Sequence, residues 1–222
     1  LDGNVVSGEY AVIGLGQFGR AVATALAREG QPVLAIDRDR QVIEDIAGEV
    51  DAAVGLDATD EEALADLRLE RMACVVVAIG SDAKEASILT TAQLRQLGVP
   101  RIVARASDEL HARVLRAVGA HEVIDPETEM GHRLALRLAN PGIAELIEFG
   151  NAAIAEVEAP ESLAGHSLAE LELRKRYQLS VLAIRRAGEV NANPGAEDRL
   201  ESGDVLVLLG EPGLIKRLAT LR

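Results

Sequence analysis

The chain has 222 residues, 48% of them hydrophobic, a mean hydropathy of +0.12 and a formal net charge of −13, a balance that disfavours nucleic acid and anionic lipid as general partners. That length holds one domain of about 140 residues and a smaller one, each able to bury its own core. No apolar run approaches the roughly 18 residues of a membrane span, and the polar N-terminal stretch does not read as a secretory leader.

The first element, Glu9-Tyr10-Ala11-Val12-Ile13, reads as a short buried strand running into a glycine turn and a helix. Gly14, Gly16 and Gly19 keep the G-x-G-x-x-G spacing. Gly14 suits a tight turn off the strand, Gly16 close backbone approach to a pyrophosphate, and Gly19 close packing of helix on sheet. The free N–H groups of the first helical turn then face the phosphates. Gly30 closes that helix, with Pro32 beyond it. A second buried strand, Pro32-Val33-Leu34-Ala35-Ile36-Asp37, ends in a carboxylate 18 residues after Gly19, where a βαβ unit sets an acid against a ribose diol. A free 2′-hydroxyl fits there and a 2′-phosphate meets repulsion. The competing role for Asp37 is to cap a helix beginning near Arg40.

Asp39 to Gly48 reads as a short amphipathic helix and Ala52–Gly55 as a third strand, with Thr59 or Asp60 capping the helix Glu61–Leu67. Ala73–Gly80 is the fourth strand and holds Cys74, the only cysteine, which fits a reduced, cytoplasmic setting. Ser81-Asp82 is expected to cap a long helix from Ala83 to Leu97. Arg101–Arg105, Asp108–Val118 and Glu122–Asp125 complete the alternation as strand, helix and strand. Continuous apolar strands separated by helices mean a parallel sheet covered on both faces. Pro126 to Phe149 is read as a helix–turn–helix, broken at Asn140-Pro141-Gly142, that joins the domains and packs on another subunit.

The remainder changes character. Ala152–Val157, Leu179–Arg185 and Asp204–Leu209 read as strands, Leu168–Lys175 and Glu211–Leu221 as helices, and the stretch holding Gly188, Asn193-Pro194-Gly195 and Gly203 as turns. The fold class is therefore α/β: a Rossmann-like doubly wound parallel sheet with a helical crossover and a second, smaller α+β domain. The boundaries fall at 1–140 for the nucleotide-binding domain, 141–150 for a linker helix and 151–222 for the α+β domain. Nearly all the acidic excess lies in residues 1–150, so phosphates bound there must be held by backbone N–H groups and a few placed arginines. His111, His121, His132 and His166 lack the spacing of a metal site.

Val12–Gly19, Asp37, Gly55–Asp60, Val76–Gly80 and Asp125–Gly131 together resemble the regulator-of-potassium-conductance domain, RCK-N. Leu163–Leu168 and Glu201–Leu206 resemble its companion, RCK-C or TrkA-C. A single copy of the pair is similar to the cytosolic KtrA-type subunit rather than to the doubled TrkA form. The resemblance implies a non-enzymatic, cytoplasmic gating subunit, peripheral to the inner face of the membrane through a potassium-transporter partner. It also implies homodimers assembled into an octameric ring whose shape follows ATP, ADP or NAD(H). It assigns the nucleotide to Gly14, Gly16, Gln17, Phe18, Gly19, Asp37, Arg38, Asp57, Ala58, Thr59, Ala78, Ile79, Gly80 and Arg105. Arg105 would meet phosphate, and Glu127 would help hold Mg²⁺ or Na⁺ at the subunit interface. Gln17 departs from the arginine many relatives carry there, which weakens the case for a triphosphate. Leu168, Ala169, Arg174 and Pro194 match a cyclic di-AMP site. The alternatives are an NAD-dependent oxidoreductase and a ligand-sensing regulator of another membrane channel or antiporter.

Overall fold

The computed structural model describes residues 8–221, which divide into two compact units after Glu127. In the first unit the strands are β1 (Tyr10–Ile13), β2 (Val33–Asp37), β3 (Ala52–Gly55), β4 (Cys74–Val77), β5 (Ile102–Arg105) and β6 (Glu122–Ile124). They alternate with helices α1 (Gln17–Arg28), α2 (Arg40–Ile46), α3 (Glu61–Asp66), α4 (Lys84–Gln96) and α5 (Glu109–Val118). All six strands are parallel, in the order β3-β2-β1-β4-β5-β6. The continuous apolar runs account for this: β4 is buried at every position, as a strand covered on both faces must be. Ile13, Ile36, Val75 and Leu115 share the core on one side of the sheet; Val12, Ala35, Ile46 and Val76 share the core on the other.

Helix starts follow local chemistry. Asp39, Asp60 and Asp108 each accept a backbone N–H from the first turn they precede, at 2.9, 3.2 and 2.8 Å. Asp60 is thus one of the two caps anticipated for its helix. Asp39, rather than Asp37, caps α2. The expected cap at Ser81-Asp82 is absent: Ser81–Ala83 forms a 3₁₀ turn instead, and α4 starts without a side-chain cap.

The second unit begins within α6 (Pro126–Ala139) and continues through β7 (Ile143–Phe149), β8 (Ala152–Glu158), α7 (Leu168–Leu171), α8 (Leu173–Tyr177), β9 (Ser180–Arg186), β10 (Glu189–Ala192), β11 (Val205–Gly210) and α9 (Pro212–Ala219). Its sheet is antiparallel, ordered β10-β9-β11-β8-β7. Ala153, Ala155 and Val157 on β8 alternate inward onto Leu206, Leu208, Ile215 and Leu218.

Three sequence expectations fail here. The expected helix at 141–150 is the edge strand β7, and Pro126–Phe149 is helix–turn–strand. Ile143 pairs with Val157 but Glu145 with Glu156, so an extra residue bulges out of β7 and breaks its alternation. That bulge spaces Ile143, Leu146 and Ile147 as a helix would. The expected helix Leu168–Lys175 is two pieces, because Glu172 takes a left-handed conformation with φ +45°. The turn-rich stretch also contains β10, which forms a hairpin with β9 through Ala187 and Gly188, both at positive φ as a two-residue turn requires.

Candidate functional site

Strand β1 lies between β2 and β4, so the chain winds outward through β3 and then returns to the far side of β1. A crevice opens beyond the carboxyl ends of strands at such a reversal. Here it is a cleft of about 300 Å³, lined by the loops that follow β1, β2, β3 and β4. Gly14 and Gly16 come from the first, Asp37 and Arg38 from the second, Asp57, Ala58 and Thr59 from the third, and Ala78, Ile79 and Gly80 from the fourth.

The three glycines are needed for different reasons. Gly14 stands at φ +89°, and a Cβ on it would sit 2.8 Å from the Ile79 nitrogen. A Cβ on Gly19 would come within 1.8 Å of the Gly14 carbonyl, so α1 closes on its own entry loop. Gly16 is unlike both: its φ of −60° is open to any residue, and a Cβ there would meet nothing within 4 Å. The protein's own packing does not require glycine at this point. The space is on the cleft, at the N-terminus of a helix whose N–H groups favour an anion.

Asp37 joins the glycine turn to the second strand. Its Oδ2 accepts the Leu15 N–H at 2.6 Å and its Oδ1 the Asp39 N–H at 2.9 Å. A carboxylate has about four lone-pair sites, which leaves room for ribose hydroxyls. Asp57 accepts both the N–H and the hydroxyl of Thr59, at 3.0 and 2.8 Å, and these bonds hold its carboxyl below the usual range.

Helix α4 fixes this third loop from behind, a connection the sequence pattern did not reveal. The buried Thr90 hydroxyl donates to the Ala58 carbonyl at 3.1 Å, and Gln93 Nε2 donates to the Thr59 carbonyl at 3.1 Å. Thr90→Val keeps the shape and removes the donor, leaving a buried carbonyl unpaired. Urea unfolding should show a loss of about 1–2 kcal/mol.

Gln17, Phe18, Gly19, Arg105 and Glu127 do not line the cleft. Gly19 serves packing, and Phe18 carries the Arg105 guanidinium over its ring, 5.9 Å from the centroid. Arg105 is ion-paired with Glu127. Sequence reasoning missed the lining residues Asp39, Val42, Leu56, Asp82, Ala83 and Ala86. The sequence reads Asp82 and Ala83 as a helix start, and the 3₁₀ turn that brings them to the cleft has no spacing signature. Among the described residues no group of three or more His, Cys, Asp or Glu is arranged to hold a metal. In the second unit, Leu168 and Arg174 share a hollow of about 220 Å³ with Leu173, Leu179, Ser180 and Val181, which Ala169 and Pro194 do not line. None of the described helices is long and apolar enough to cross a membrane.

The TrkA-N domain model matches residues 10–126 and the TrkA-C domain model residues 153–221. The chain is similar to the Ktr system potassium uptake protein C of Bacillus subtilis (strain 168), with 36% identity over 94% of this chain and 95% of the relative. Its likeness to the Ktr system potassium uptake protein A of Vibrio alginolyticus is 36% identity over 91% and 92%. Among solved structures, the GsuK channel bound to NAD matches 98% of this chain with a TM-score of 0.65 and 22% identity, a likeness of fold. The chain spans 40% of that channel's length.

Proposed function

The chain belongs to the family defined by the TrkA-N and TrkA-C domains, and from that premise we propose that it is the nucleotide-binding regulatory subunit of a potassium-uptake transporter, acting at the inner face of the membrane. Gly16 carries the nucleotide part of this reading, because the space above it is kept open by no requirement of the fold. The ligand is ATP, ADP or NAD(H), with the ribose on Asp37, the adenine against Asp57, Ala58 and Thr59, and the phosphates on the first turn of α1. Gln17, Phe18 and Gly19 supply backbone there, and Arg38 supplies a cation at the rim. The relatives are named as potassium uptake proteins, which favours a regulator over an oxidoreductase.

Subunits pair and assemble into an octameric ring beneath the transporter. Met130, Leu134 and Leu138 recur every fourth residue along α6 and are exposed, as a helix face covered in an assembly would be. Glu127, with Mg²⁺ or Na⁺, belongs to that interface, and the hollow at Leu168 and Arg174, with Ala169 and Pro194 nearby in the motif, is the place for cyclic di-AMP. Gating follows from unequal affinity: a nucleotide that binds two ring shapes equally shifts neither.

Calorimetric titration of the full chain with ATP, ADP and NADH, with small-angle scattering of each complex, tests both parts. Saturable binding of at least one and different scattering for ATP and ADP are expected. Binding of none sinks the nucleotide reading, and identical scattering sinks the gating mechanism.

A further inference from the structure

Helix α4 opens with a cation, Lys84, at the positive end of its dipole, and no side chain caps it. Asp108 compensates. Its Oδ2 accepts from Lys84 Nζ, while its Oδ1 accepts the His111 N–H at 2.8 Å and so caps the neighbouring helix α5. One carboxylate therefore ties two helix starts together, and the turn just before Lys84 is the one that carries Asp82 and Ala83 on the cleft wall. Behind this tie His111 is buried, only 4% exposed. The Ser107 N–H donates to its Nδ1 at 3.3 Å, which leaves Nδ1 without a proton and puts the ring's hydrogen on Nε2. Nε2 is buried without a partner, and so is Ser87 Oγ, one turn along α4, so no bond joins the ring to that serine. The surroundings suit a neutral ring. A second proton, on Nδ1, would face the Ser107 N–H, which can only donate, and the charged ring would still lack an acceptor at Nε2.

We infer that His111 is a proton-operated latch on the cleft: the neutral ring holds the starts of α4 and α5 together, and protonation releases them and weakens nucleotide binding. The inference rests on the nucleotide reading above and adds a second ligand, the proton. The charged groups that act on the ring are Asp108, from the loop before α5, and Lys84, from α4. Asp108 stays ionised down to strongly acid pH, its carboxyl held at about 2 by the His111 N–H and the Lys84 ammonium. Burial pushes His111 below its ordinary value of 6.5, with Asp108 opposing and Lys84 assisting. The neutral ring's contacts are therefore complete above 6.5 and are lost as pH falls through the lowered value. A ring driven out of its site pulls on its own N–H, which bonds Asp108. The Lys84–Asp108 pair is partly exposed at both ends and by itself holds the turn weakly. By linkage, a nucleotide that needs the turn in place opposes protonation, and protons lower its affinity by the same factor.

The test is calorimetric titration of the full chain with ADP and with NAD at about pH 8 and about pH 5.5, comparing wild type with His111→Asn. Asparagine offers an acceptor oxygen near the place of Nδ1 and cannot gain a proton. The terminal phosphate of ADP titrates in this range, but identically for both proteins, and the bridging phosphates of NAD do not. Between the two pH values wild type should lose about threefold more affinity than His111→Asn. Hydrogen exchange of wild type, corrected for intrinsic rates, should show the Ser107 and His111 amides opening more at the lower pH, and it reads the latch even where His111→Asn does not fold. Parallel affinity profiles in the two proteins, or exchange at those amides that ignores pH, overturn the latch and leave nucleotide binding standing. Wild type that binds neither ligand at pH 8 overturns the nucleotide reading and the latch with it.

Discussion

Gly16→Val should abolish nucleotide binding while leaving the fold intact. The backbone at Gly16 is already in a region valine favours, and a Cβ meets no protein atom within 4 Å. Valine is a poorer helix cap than glycine, so the stability cost should stay below about 1 kcal/mol. The same side chain would stand where a diphosphate must approach the α1 N–H groups. Losing two charge-assisted hydrogen bonds of about 1.5–3 kcal/mol each implies at least a hundredfold weaker binding. Gly19→Ala should do the opposite, disrupting the first unit, because its Cβ would collide with the Gly14 carbonyl at 1.8 Å. Melting curves and nucleotide titrations of the two variants separate the roles. A Gly16→Val protein that binds ADP normally would falsify the placement of the phosphates.

A large effect on stability in the second unit should come from Arg186→Met. Arg186 grips the fully buried Asp204 through two bonds of 2.8 Å, Nε to Oδ1 and Nη2 to Oδ2. The same guanidinium reaches the Arg199 carbonyl and Glu201, while the Glu201 N–H also donates to Asp204. Removing the arginine strands a buried carboxylate with that N–H, at a cost of about 2–4 kcal/mol, less than for a pair buried at both ends because Arg186 is partly exposed. The acid limb should change too. Hydrogen bonding from Arg186 holds the Asp204 carboxyl below its ordinary pKa of 3.8. A depressed carboxylate contributes stability that is present above that value and is lost as pH falls through the folded pKa. Arg186→Met should therefore flatten the fall in stability below about pH 4. Hydrogen exchange of β9 and β11 amides across that pH range would show it, and an unchanged slope would count against Asp204 as the titrating group.

The sequence exposed the first unit more fully than the second, for physical reasons. Strands buried on both faces must be continuously apolar, so β1, β2 and β4 announce themselves, and aspartates at helix starts mark where the chain turns. In the second unit, β7 carries a bulge that mimics helical spacing, β10 is exposed at all four positions, and the break at Glu172 uses a residue that rarely adopts a left-handed conformation. At the site, the four cleft loops were legible because each follows a strand end. The pairing of Arg105 with Glu127 was not, since it joins residues 22 apart through tertiary structure. Nor was the support from α4, whose buried Thr90 and half-buried Gln93 interrupt the apolar pattern that would reveal an inward face.

The two margins of the second sheet have a bearing on behaviour at high concentration. Exposed strand margins invite fibrous growth by adding further chains. Here one margin is β10, only four residues long and hydrophilic at Glu189 and Asn191, and the other is β7, distorted by its bulge and studded with Glu145 and Glu148. Both present poor templates, so open-ended stacking of copies through this sheet is disfavoured at either margin.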